Sequence, residues 1–189
     1  MSSVLEPSDS RAVVLVEGVS DQRALTALAR RRNRNLDAER IAVVAIGGAH
    51  AIAGFLDRFG PRGLGVRLAG LCDAGEAGAF ARALEGAGMG SDLTRAEMES
   101  LGFFVCDADL EDELLRALGV LAVERIIDAE GQLSSFRTFQ KQPAKRELSL
   151  EEQLWRFMWN RKIHYAPLLV NALDLGHVPR PLDAVLAHV

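Results

Sequence analysis

Four short apolar runs, at residues 12–16, 41–46, 66–71 and 103–106, constrain the fold more than any other feature of the chain. Each is continuous rather than alternating, the pattern of a strand covered on both faces. Helical spacing follows each one. Residues 21–32 put Leu25, Leu28 and Ala29 on one face, residues 49–59 and 76–84 supply two further crossovers, and residues 110–118 follow the fourth run. A shorter helix is marked by Thr94 and Glu97 in capping-box spacing. This alternation predicts an α/β fold with a mainly parallel, doubly wound four-stranded sheet flanked by helices. Right-handed crossovers then bring the C-terminal ends of the strands to one edge, where such sheets bind ligands.

The rest of the chain is different. No strand-like run occurs beyond residue 118, and Ser149 and Glu152 form a second capping box ahead of a Leu154, Phe157, Met158 face. Two more helical stretches follow, "HYAPLLVNALDL" and "VPRPLDAVLAHV". The expected organisation is a flexible N-terminus at 1–11, an α/β core at 12–118, and an α-helical C-terminal extension at 119–189 packed on the core.

With 189 residues, 49% of them apolar and 25% charged, the chain can bury a proper core and is not of the disordered class. The net charge of −4 gives no global footprint for nucleic acid, although a local basic groove is compatible with it. The opening "MSSVLEPSDSR" has no apolar leader, and no apolar run nears the ~20 residues that span a bilayer. A cytoplasmic protein with no membrane segment is expected. Cys72 and Cys106 lack metal-ligand spacing and read as small buried thiols of a reducing compartment. Arg30, Arg31, Arg32 and Arg34 crowd the end of the first helix, where cations complement the helix dipole; phosphate binding is the alternative.

Carboxylates collect at the strand ends. Glu17 ends the first strand, Asp73 the third, and Asp107, Asp109 and Glu111 follow the fourth, while Asp21 and Glu76 lie in first turns of the helices that leave this edge. Taken singly, Asp21, Glu76 and Asp109 are ordinary helix-start residues. Glu17 is not, because it precedes Gly18, a residue expected to let the backbone turn sharply away from the strand. Agreement across three strand ends points to a site. Several carboxylates on one rim raise each other's pKa, and an all-oxygen set suits Mg²⁺ or Mn²⁺ rather than zinc.

These residues resemble a known pattern. "VVLVEGVSD" is similar to the first motif of the Toprim domain, and most closely to that of the overcoming-lysogenization-defect (OLD) nucleases. "GLCDAGE" stands in the place of the family's Asp-x-Asp motif, "DADLEDELLRAL" resembles its Leu-Glu element, and "RKIHYAPLLVNAL" followed by "VPRPL" resembles its C-terminal lysine segment. The resemblance implies a Toprim, Rossmann-like fold and a metal-dependent phosphodiester-processing enzyme, an OLD-like endonuclease acting on DNA. It implies Glu17, Asp21, Asp73 and Glu111 as metal ligands for one or two Mg²⁺ or Mn²⁺ ions; Glu76 and Asp109, by their own placement on the rim, are further candidates. It implies Lys162 as the catalytic lysine beside Glu17. Two departures stand out. Gly75 occupies the position of the second acid of Asp-x-Asp, and the chain contains no Walker motif, so an ATPase would be a separate protein. The alternative is a non-catalytic Toprim-like module that binds metal, nucleic acid or a partner ATPase. A phosphoacceptor receiver domain ranks last, because Glu17-Gly18 does not supply the paired acids it needs after the first strand.

The segment "SFRTFQKQPAKR" interleaves Phe136 and Phe139 with Arg137, Lys141, Lys145 and Arg146. It is the candidate nucleic-acid interface, with the rings stacking on bases; a solvated loop anchored by two core phenylalanines is the alternative. His50 and His164 lie near the expected site without being assigned to it. Trp155, Trp159 and Tyr165 are read as packing, and Asp112 and Glu113 as facing solvent. A homodimer is left open.

Overall fold

A computed structural model describes residues 7–189, so residues 1–6 of the expected flexible N-terminus lie outside the described residues. The sheet consists of β1 (Ala12–Val16), β2 (Ile41–Ala45), β3 (Arg67–Cys72) and β4 (Phe103–Val105). Their spatial order is β2-β1-β3-β4 and every pairing is parallel. Each continuous apolar run has become a strand, as expected. The α-helices of the described residues are, in chain order, α1 (Val19–Arg31), α2 (Ile52–Phe59), α3 (Ala77–Gly86), α4 (Arg95–Ser100), α5 (Leu110–Leu118), α6 (Val120–Ala129), α7 (Leu133–Gln140), α8 (Leu150–Met158), α9 (Lys162–Ala172) and α10 (Arg180–His188).

Alternate residues of β1 feed two different cores. Val13 and Leu15 pack with Ile52, Leu56, Phe80 and Leu84 on the face covered by α2 and α3. Val14 and Val16 pack with Leu25, Leu28, Leu114 and the C-terminal helices on the other. All five β1 residues are fully buried, which explains why the run does not alternate. Full burial of a Val or Leu side chain contributes about 1.5–3 kcal/mol. At Gly70 a Cβ would meet the Phe103 ring at 2.5 Å, so glycine is what lets that ring lie across β3.

The C-terminal helices share the second core rather than forming one of their own, with α9 running along α1 and α10 packing on β3 and β4. The arginine cluster fastens them. Arg31 donates to the carbonyls of Val170 (2.8 Å) and Leu173 (2.6 Å) at the end of α9. Arg32 pairs with Asp183 on α10 at 2.6 Å, and Arg34 donates to the Leu186 carbonyl while pairing with Glu39. Arg31 thus serves the C-terminal end of α9 and Arg34 that of α10, while Arg32 holds the first turn of α10. Pro167, inside α9, removes the N–H that would bond to the Ile163 carbonyl, and Arg23 of α1 donates to that oxygen at 3.4 Å.

Candidate functional site

Parallel pairing sets β1 to end at Val16 opposite Leu71, and β3 to end at Cys72 opposite Val105. The residues that follow therefore meet at one edge. Glu17 Oε1 accepts the Asp73 backbone N–H at 2.8 Å, joining the ends of β1 and β3. The Glu17 carbonyl accepts from Gly47 (3.1 Å) and Gly48 (3.2 Å), whose φ angles of 77° and 112° belong to glycine. Glu17 is held from both sides, by its side chain toward the end of β3 and by its carbonyl toward the turn after β2.

Asp21 lies in the first turn of α1, and its Oδ2 accepts the Gly18 N–H at 2.8 Å. Gly18 itself has φ −135° and ψ 174°, an extended conformation open to any residue. The expectation that glycine is needed there for a sharp turn is therefore corrected. Asp73 sits before the 3-10 turn Ala74–Glu76 and its carboxylate makes no capping bond. The Ala74 N–H reaches the Ala108 carbonyl at 3.1 Å, drawing the end of β3 to the loop after β4.

On that loop, Asp109 caps α5 through the Asp112 N–H (2.7 Å) and accepts the Trp155 indole N–H at 2.9 and 3.1 Å. Glu111 is only 3% exposed, and one of its carboxylate oxygens, Oε1, is buried without a hydrogen-bond partner. Its other oxygen lies 3.8 Å from Lys162 Nζ, which starts α9 and sits 4.8 Å from the centre of the Trp159 ring. Trp159 packs against Trp155 with ring centres 4.5 Å apart and planes tilted by 43°. Asp109, Trp155, Trp159, Lys162 and Glu111 thus form one connected wall. The two tryptophans, read from sequence as packing, are part of this wall. The three-residue spacing of Trp159 and Lys162 was the available signal for it.

Burial pushes the Asp73 carboxyl up to about 8, reinforced by repulsion from Glu17, Asp21, Asp109 and Glu111. Glu111 is pushed up to about 7 by burial, against the pull of Lys162. Burial also raises Glu17 and Asp21, opposed by their hydrogen bonds from the backbone of Asp73 and Gly18. Glu76 is exposed and reaches the rim only through its charge, which helps to raise Glu17.

Among the described residues no three acidic, histidine or cysteine side chains form a ready metal cage as they stand. The chemistry of the set nevertheless fits a hard divalent cation: oxygen donors only, mutually repelling, one of them buried and unpartnered. Glu17, Asp21, Asp73 and Glu111 could hold it. The oxygens of Asp109 already accept protein N–H groups.

Residues 10–74 match the family model of the overcoming lysogenization defect protein-like Toprim domain. Over this stretch the chain is similar to an OLD-like Toprim domain. The solved C-terminal region of the Xanthomonas campestris pv. campestris OLD protein is similar over 95% of this chain and 92% of that one, at 24% identity and a TM-score of 0.75. The C-terminal region of the Burkholderia pseudomallei OLD protein covers 95% and 96%, at 21% identity and 0.74. A second structure of the Xanthomonas region reaches 26% identity at 0.70 over 95% and 93%. No curated protein matches the chain significantly.

Other expected residues lie elsewhere. His164 pairs with Glu130 at 2.7 Å, and His50 is exposed on the turn after β2. Asp107 points outward to Arg95. Glu113 is buried rather than solvent-facing, because it accepts the Asp107 N–H at 2.9 Å and pairs with Arg116; Asp112 also pairs with Arg116. Cys72 and Cys106 are buried free thiols. In the basic-aromatic segment, Phe136 is fully buried and packs with Phe139 and Phe157, so its ring faces the core rather than a base. Arg137 pairs with Glu124 at 2.8 Å and Lys145 lies over the Phe139 ring. Lys141 is exposed, and Arg146 donates to the Lys141 carbonyl. No described helix is long and apolar enough to cross a membrane.

Proposed function

We propose that this OLD-like Toprim domain is a divalent-metal-dependent endonuclease acting on the phosphodiesters of DNA. The observation that carries this reading is the lysine set 3.8 Å from a buried carboxylate, beside a rim of acids at the ends of three parallel strands. Glu17, Asp21, Asp73 and Glu111 are the proposed ligands of Mg²⁺ or Mn²⁺, with Glu76 available at the exposed margin. A bound ion would supply Lewis-acid polarisation of a phosphoryl oxygen and a hydroxide nucleophile near neutral pH. Lys162 meets the negative charge that develops on the phosphate, in a position fixed by Glu111 and the Trp159 ring. Glu17 uses one oxygen to hold the Asp73 backbone and offers the other to the ion or to the proton of the attacking water. Asp109, engaged by Trp155, is a positioning residue.

Gly75 favours a second reading, a non-catalytic module that binds metal, nucleic acid or a partner, because it removes one acid from the expected pair. Incubation of the protein with plasmid and short oligonucleotides in Mg²⁺, Mn²⁺ or EDTA separates the two. Cleavage that requires the divalent ion and is lost in Lys162→Ala supports the nuclease. Intact substrates in every condition support the module.

A further inference from the structure

Beside the Lys162 end of α9, a cleft of about 450 Å³ opens between α7 and the junction of α8 with α9. Arg156 and Arg161 line it together with the hydroxyl residues Ser134, Ser135 and Thr138 of α7, and no carboxylate does. In a chain of net charge −4 this is a local cationic site. Its apolar part is Phe139 and Phe157.

The donors are available. Arg156 is exposed and has no hydrogen bond or ion pair among the described residues. Arg161 uses one nitrogen on the Phe157 carbonyl (3.1 Å) and stacks over the Phe157 ring at 4.7 Å, which fixes its plane. Its remaining N–H groups have no partner among the described residues. Arg137 of α7, by contrast, is committed to Glu124. Two guanidinium groups flanked by hydroxyls, one of them seated on the Phe157 ring, match the phosphates of a nucleic-acid backbone.

We propose that this cleft binds a single-stranded segment of nucleic acid next to the scissile phosphate, with Arg156 and Arg161 on the backbone and the half-buried Phe139 ring against the sugar. The placement rests on reading the carboxylate rim as the cleaving centre. Arg161 and Lys162 are chain neighbours, so the cleft begins one residue from the lysine of the proposed centre.

The test is fluorescence anisotropy of a short labelled oligothymidylate in EDTA across a salt series, with manganese-dependent cleavage measured separately. Arg156→Gln and Arg161→Gln should each weaken binding roughly tenfold and flatten the log–log salt slope by about 0.7, the value of one single-strand phosphate contact. Ser134→Glu, which puts a carboxylate in the cleft at an exposed helix position, should weaken it as much, whereas Arg137→Gln should bind as wild type does. Melting curves confirm that each variant is folded. Wild-type affinity and slope in both arginine variants, or a wild type that binds no oligonucleotide, overturns the proposal. Arginine-dependent binding without cleavage keeps the cleft and overturns the nuclease reading. Cleavage with binding indifferent to both arginines does the reverse.

Discussion

Glu17 is pulled two ways: one oxygen ties β1 to β3 through the Asp73 N–H, while burial and its acidic neighbours oppose its charge. Glu17→Gln keeps an acceptor for that N–H and removes one repelling charge. The metal-free variant should melt at or above the wild-type temperature, yet lose both manganese-dependent cleavage and the cation-induced rise in melting temperature. Gly75 gives a second residue-scale test. A Cβ there meets nothing within 4 Å, and its backbone is not in the left-handed region, so aspartate is sterically admissible. Gly75→Asp should raise activity at low Mg²⁺. Glu76→Gln should weaken cation binding, measured by titration, less than Asp73→Asn does, because Glu76 is exposed and Asp73 is not. The acids at the strand ends were legible in the sequence because β-strand polarity alone gathers them. The bond from Trp155 to Asp109 and the burial of Glu113 were not, since neither follows from periodicity: one spans helices far apart in sequence, and the other depends on a loop N–H.

At the scale of elements, α9 is what brings Lys162 to the rim, and its placement depends on α1. Arg23 answers the carbonyl freed by Pro167, and Arg31 caps the C-terminal end. Arg31→Ala leaves two carbonyls short of a charged donor and should destabilise the fold by about 2–3 kcal/mol in a denaturant titration. It should also lower kcat more than cation affinity, because the ligands on β1 and β3 stay in place. Lys162→Ala should slow cleavage on the order of a hundredfold or more with cation affinity retained. Retained wild-type rates in Lys162→Ala would remove the lysine from the mechanism. The four strands and the capping boxes at Thr94 and Ser149 were readable from local pattern. The service that Arg31, Arg32 and Arg34 give to α9 and α10 was not, because a run of arginines at a helix end looks the same whichever helix it caps.

For the whole molecule, the rim links stability, pH and cation binding. Asp73 and Glu111 have carboxyls raised to about 8 and about 7, against about 4 unfolded, so the folded protein holds more protons between these limits. Their stabilising contribution is full below about pH 4 and is lost as the pH rises through 7 and 8. The metal-free melting temperature should therefore carry a component that declines across that window, and saturating Mn²⁺ should suppress the decline by taking the place of the protons. Calorimetric titration of Mn²⁺ near pH 7, in two buffers of different ionisation enthalpy, tests that exchange most directly. The predicted result is saturable binding with proton release in the wild type, and much weaker binding in Glu17→Gln and Asp73→Asn. Absence of binding in the wild type, or binding without proton release that both variants retain, would contradict a cation centre at the carboxylate rim.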